Sequence, residues 1–423
     1  MIDPLILVRA VHFAATALAA GTVVFLVLVA EPVFGAAGAG QEWAAYRRCG
    51  RWLTWTGLAV AIGSGAVWLV WLASDIYGAS LLNVCLHGGA WSVLNETRFG
   101  LVSTIRLGLA VLLGGLVLWP ATRWLQLAVA AGLVGSLALI GHAGATPGID
   151  GRVHLTSDVL HLIAATAWVG ALPALALLLH RMRKMKGESS AVLANAAARR
   201  FSPLGVVSVG VLFATGIVNS WNLLASPRDL IATDYGRLLA LKIGLFVAMI
   251  GIAAVNRFRL TPRLAAPTAM RALERNSLAE IGLGLCVFLF VGALGTMAPP
   301  VHNHVHIPTQ QIPADAAFVH IHSTEAMADV TIEPGRVGPA RARILLMRED
   351  FSLLTVKALT LVLTPQATSA AAPISRSGAR LADGSWQVKG LEIEQPGICT
   401  VKLVIDTGSG APIILDAPVV IDP

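Results

Sequence analysis

Eight apolar runs follow one another in the first 298 residues, near 5–30, 52–73, 101–119, 122–141, 156–179, 202–224, 237–256 and 277–298. A helix needs about 20 such residues to span roughly 30 Å of hydrocarbon. No water reaches the backbone there, so segments of this kind are restricted to helices that bond internally. Only 13% of the 423 residues are charged and 56% are hydrophobic, whereas soluble domains carry about 25% charged residues. The expectation is an all-α polytopic membrane bundle of about eight transmembrane helices over residues 1–299, with the lipid bilayer as its partner. The net charge of +7 comes from Lys and Arg in short loops, where they orient helices, and nucleic acid is set aside.

After Pro299 and Pro300 the pattern changes to short alternating runs, "ADVTIEP", "ARILLM", "KALTLVLTP", "SWQVKGLEIE" and "CTVKLVID", separated by Gly and Pro turns. This period of two predicts a small all-β, Ig-like sandwich over residues 300–423. Cys49, Cys85, Cys286 and Cys399 show no CxxC spacing, so neither a thiolate zinc site nor a disulfide framework is expected. Counted in alternate loops, one set holds fifteen Lys and Arg, among them Arg47, Arg123, "RMRKMK" and Arg257, and the other holds four: Arg98, Arg152, Arg228 and Arg237. The richer set faces the cytoplasm. The N-terminus and the β-domain then lie outside, and no basic region precedes the first run, which argues against a cleaved signal peptide.

On that topology His12, His87, His142, His154 and His161 all fall at or near the outer face, and His180 alone of the membrane-domain histidines faces inward. His154, Asp158 and His161 stand at i, i+4 and i+7, one face of a helix, and Trp168 extends the stripe by a heptad. Ionisable groups inside a membrane helix are expensive and face the bundle interior, where they pair or bind. The bland alternative is a wet cluster at a helix end, which suits His154 taken alone. His12 sits in the outer half of the first run. Arg9, three residues earlier, is expected to snorkel outward. Arg106 and Lys242 are expected to pair with acidic groups such as Asp158 or Asp234. Ser208, Gly210, Ala214 and Gly216 in the sixth run suggest close helix approach.

His302, His304 and His306 alternate, as do His320 and His322, so in extended chain each set projects from one side. Met327 follows closely. Imidazole with thioether suits copper, whereas magnesium and calcium take oxygen donors. Surface decoration is the alternative for such a strand.

The segments "GHA", "SDVLHLIAATAWVGAL", "RFSPLGVVSVGVLFATGIVNS" and "TDYGRLLALKIGLFVAMIGIAAVNRFRLTP", in this order, resemble the copper resistance D family of bacterial inner-membrane proteins. The resemblance implies copper handling, usually regarded as uptake from the periplasm. It carries the family's His-bearing segment onto His154, Asp158, His161, Trp168 and Gly170; "WVGAL" stands where a second Gly is common. The tail resembles the periplasmic β-sandwich domains fused to such transporters, similar in style to copper-resistance C-type carriers, and implies such a carrier as partner. Here "PGICTV" replaces a "PG-x-W" turn, and Cys399 is expected to fill the core.

The metal residues expected are thus His12, His154, Asp158, His161, His302, His304, His306, His320, His322 and Met327, with copper as cargo and no enzymatic activity. No Walker motif is present, so ATP is not the direct energy source. Two other readings remain at this stage. One is a haem-binding redox protein that uses His12 with His161. The other is a copper-delivery or assembly factor without transport.

Overall fold

The computed structural model describes residues 3–77, 80–86, 88–140, 148–185, 188–224, 226–264, 266–297, 299–300, 313, 315–323, 326–348, 353–365, 372–408 and 411–423. Contacts divide the chain into two compact units, Met1–Ser74 with Ser80–His304, and Asp75–Ala79 with Val305–Pro423.

Among the described residues, eight helices are long and apolar enough to cross a membrane: Pro4–Ala36, Gly40–Ile76, Arg98–Leu116, Pro120–Ile140, Gly151–Met185, Ser189–Leu223, Asp234–Arg263 and Thr268–Leu294. They are called the first to eighth spans. Several outrun the apolar windows because polar turns continue the helix; the sixth starts 13 residues before the apolar run at 202. Starts are set by side chains that accept from free backbone N–H groups. Asp3 accepts from Leu5 just before Pro4, Thr97 from Gly100, and Thr233 from Gly236.

Among the described residues three spans contain a π-helical turn, at Leu26–Ala30, Thr166–Gly170 and Asn256–Leu260. The second of these is where the first and fifth spans cross. A Cβ on Gly21 would collide with the Gly170 carbonyl, and one on Gly170 would collide with the Ala17 carbonyl. Backbone therefore rests on backbone. The glycines of the sixth span behave differently, since Gly210 and Gly216 have nothing within 4 Å of an added Cβ. Of the small residues expected to allow close approach there, Ser208 is buried while Gly210 and Gly216 are not in contact, and backbone rests on backbone at Gly21 and Gly170. One buried core gathers Phe25, Tyr46, Trp168, Leu172, Leu178 and Phe201, and a second gathers Val23, Leu58, Leu113 and Leu133.

Among the described residues the C-terminal unit has nine strands: β1 (Ala317–His322), β2 (Met327–Glu333), β3 (Gly338–Met347), β4 (Ala358–Pro365), β5 (Ile374–Ser377), β6 (Ala379–Arg380), β7 (Trp386–Ile393), β8 (Gly397–Asp406) and β9 (Ile413–Ile421). They form two antiparallel sheets, ordered β1-β2-β3-β7-β6 and β5-β4-β8-β9. Val330, Ile344 and Val388 of one meet Leu361, Val401 and Leu403 of the other in a single core. The five runs read from the sequence fall on β2, β3, β4, β7 and β8, and alternate burial along β8 gives the period of two its cause.

Candidate metal site

Because successive spans run in opposite directions, the starts of the odd spans and the ends of the even ones share one end of the bundle. The fifth and sixth spans meet there through a two-rung ladder. Asn219 Nδ2 donates to Asp158 Oδ1 at 3.3 Å, and one turn away His161 Nδ1 lies 2.9 Å from Thr215 Oγ1. The Thr215 hydroxyl gives its own proton to the Val211 carbonyl at 2.6 Å, so from the imidazole it only accepts. His161 is therefore the Nδ1–H tautomer. Its Nε2 lone pair is bare, with no hydrogen bond to it among the described residues. This is how a metal-binding imidazole is held, one nitrogen anchored and the other aimed.

Asn219 must turn its amide N–H toward an ionised carboxylate, which accepts only. Its Oδ1 is left buried with no partner among the described residues. An imidazole nitrogen, a carboxylate and an amide oxygen thus belong to one ladder. Ser157 also reaches across, donating to the Thr215 carbonyl at 3.3 Å. Lys242 of the seventh span lies within electrostatic reach of both Asp158 and His161. Among the described residues no ion pair or hydrogen bond joins Lys242 to Asp158, so the two are electrostatic neighbours and not the expected bonded pair. Asp234 pairs with Arg237 instead, at 3.0 Å. His154, two turns above His161, is 4% exposed, and no hydrogen bond reaches its ring among the described residues.

His12 belongs to a different cluster. Arg106 Nη2 lies 2.8 Å from its Nε2. A guanidinium only donates, so Nε2 accepts and Nδ1 carries the proton. That proton goes to the Ala61 carbonyl at 2.9 Å, with Ser64 Oγ also near at 3.2 Å. Both nitrogens are engaged, so in this arrangement His12 has no lone pair for a metal or for the haem reading. Among the described residues Arg106 finds no acid either. It also donates to the Leu133 carbonyl and Ser136 Oγ, because carbonyls and an imidazole supply its acceptors. Arg9 does not snorkel: it donates to the Gly295 carbonyl at 2.6 Å and lies over the Trp68 ring at 4.9 Å.

In the β-domain, His320 is exposed and its Nδ1 lies 2.5 Å from Asp329 Oδ1 on β2. Met327 is fully buried. Register sets His322 opposite Met327, and Met327 opposite Met347. Directly opposed residues share a sheet face, so Met347, which the sequence reading passed over, joins that row. Only pairing could have revealed it. Burial pushes the Cys399 thiol above its usual range, and a protonated thiol in an apolar core is filler rather than a soft ligand. His302, His304 and His306, with His87 and His142, lie outside the described residues. Among the described residues no three His, Cys, Asp or Glu side chains converge closely enough to hold a metal ion. The His161 ladder brings polar side chains of the fifth and sixth spans together without completing such a set.

Residues 1–153 match the family described as copper resistance protein D-like, N-terminal domain, and residues 195–294 match copper resistance protein D. The chain belongs to the copper resistance D family. Its membership rests on the first four spans and on the sixth to eighth; residues 154–194, with His154, Asp158 and His161, lie between the two matched stretches. Copper resistance protein D of Pseudomonas syringae pv. tomato is 28% identical over 238 residues, 54% of this chain and 74% of that protein. Copper transport protein CutJ of Bacillus subtilis (strain 168) is 31% identical over 233 residues, 50% of this chain and 41% of that protein. Inner membrane protein YebZ of Escherichia coli (strain K12) is 33% identical over 169 residues, 38% of this chain and 55% of that protein. The matches thus span less than two thirds of the last two proteins.

Proposed function

We propose that this chain carries copper across the bacterial inner membrane, from the periplasm into the cytoplasm, as a carrier and not an enzyme. The observation that carries the reading is the His161 ring, anchored by Thr215 with its Nε2 bare, one turn along the same two helices from the Asp158–Asn219 pair. A copper ion that sheds water in low dielectric needs both a replacement ligand and a counter-charge. His161 is the ligand, Asp158 the counter-charge, Asn219 Oδ1 a further donor, and His154 the first contact. The β-domain, through His320, His322 and Met327 with Met347, and through the 302–306 run, passes copper to that end of the bundle from a periplasmic carrier.

Copper accumulation in vesicles of known orientation, supplied separately as Cu(I) and Cu(II), tests the reading. Uptake into vesicles whose interior corresponds to the cytoplasm is expected. Equal copper content in vesicles with and without the protein would remove transport.

The fifteen-to-four excess of Lys and Arg supports a periplasmic placement for the end that holds the His161 ladder. A reporter that is active only outside the cytoplasm, fused after Pro423, is therefore expected to be active. Cytoplasmic activity at that junction reverses the direction of transport.

A further inference from the structure

The eighth span holds a carboxyl that the copper reading does not use. Glu280 is 2% exposed. Its Oε2 accepts from Asn256 Nδ2 at 2.9 Å, and Oε1 is buried with no partner among the described residues. Ser277, one turn earlier on the same face and 1% exposed, also has a buried hydroxyl without a partner. Asn276 Nδ2 donates to Asn256 Oδ1 at 2.8 Å, which fixes the Asn256 amide so that its N–H group faces Glu280. Asn256 opens the π turn Asn256–Leu260, a distortion frequent at functional sites.

The elements packed against Glu280 bring no cation to it among the described residues. On its own span Arg271 and Arg275 are exposed. Glu274 is taken by His180 and Arg183 of the fifth span, where Arg181 bonds Cys49 and Lys184 is exposed. On the seventh span Arg257 bonds Ser202, and Arg259 and Arg263 are exposed. On the first span Arg9 and His12 are committed as described, and Glu31 bonds Arg123.

A bare carboxylate in such surroundings is not sustained; it takes a proton or a cation. Two orphaned oxygens fall well short of the six or so that a hard metal ion requires. We propose that Glu280, with Ser277 and Asn256, is a proton-binding site within the membrane. On the seventh span, Asn256 lies 14 residues beyond Lys242, about 21 Å along the axis, so the proton site and the His161 ladder are placed in series. Resting on the copper reading, the second half of the proposal is exchange of Cu(I): one copper ion moves one way, the one proton on Glu280 moves the other, and one positive charge crosses in each direction.

Infrared spectra of the full chain in lipid, recorded across neutral pH, test the site without copper. A protonated-carboxyl band that fades as pH rises and is missing in Glu280→Gln is expected. Ser277→Ala, which removes a hydroxyl able to donate to the ionised form, should raise the midpoint. A wild-type spectrum without such a band, or a band that survives Glu280→Gln, overturns the site. In proteoliposomes, an imposed pH difference should change wild-type copper accumulation about tenfold per pH unit for one proton per ion, and leave Glu280→Gln flat. Accumulation that ignores pH while the band titrates overturns the exchange alone. If wild type moves no copper at all, the transport reading fails and the infrared result still stands.

Discussion

Copper uptake by Asp158→Asn falls to background while the protein stays inserted and abundant. The substitution keeps shape and removes only the negative charge that offsets a cation leaving water. His161→Ala removes the bare Nε2 and gives the same loss. Thr215→Val leaves the imidazole in place but takes away the acceptor of its Nδ1 proton, and about a 10- to 100-fold loss of affinity is the usual consequence of losing such support. His12→Ala behaves differently: it leaves the buried Arg106 guanidinium short of an acceptor, so the amount of folded protein falls. Uptake measured against protein content separates the outcomes. Normal uptake by Asp158→Asn would mean that Asp158 only braces Asn219 across the helix pair.

Gly21→Ala and Gly170→Ala should each leave little folded protein. Overpacking a core with side-chain atoms typically costs about 1–3 kcal/mol, and there the neighbours can change rotamer. At this crossing the added methyl meets carbonyl groups of the partner helix, which cannot turn away, so the effect exceeds that range. Gly210→Ala and Gly216→Ala, with open space around the added carbon, serve as matched controls. Thermal stability in detergent reads the difference. Four variants of equal stability would show that the first and fifth spans can separate freely.

The spans were legible because hydrocarbon forces both length and composition, and the strands because one face of each is buried. The face shared by Asp158 and His161 was legible from spacing alone. What each polar group bonds to was not. Arg106 was expected to seek an acid and is satisfied by a carbonyl, a hydroxyl and His12, since any acceptor at the right height serves. Thr215 and Asn219, at i and i+4, carried a faint signal of a polar face. Gly21 and Gly170 carried none, because a lone glycine in an apolar run declares its purpose only when the partner backbone is known. Glu280 was hidden in plain view, as one acid in the eighth run.

The π turn at Thr166–Gly170 winds in one residue beyond the α-helical count, and each residue turns a helix by about 100°. The heptad ruler that joins His154, Asp158 and His161 therefore loses phase before it reaches the lower half of the span. Above the turn the helix answers to the sixth span; below it, Leu172, Leu175, Leu178 and Leu179 answer to the apolar core. One continuous helix is thus two modules joined at a phase step. A substitution that turns the upper module about its axis need not disturb the packing of the lower one.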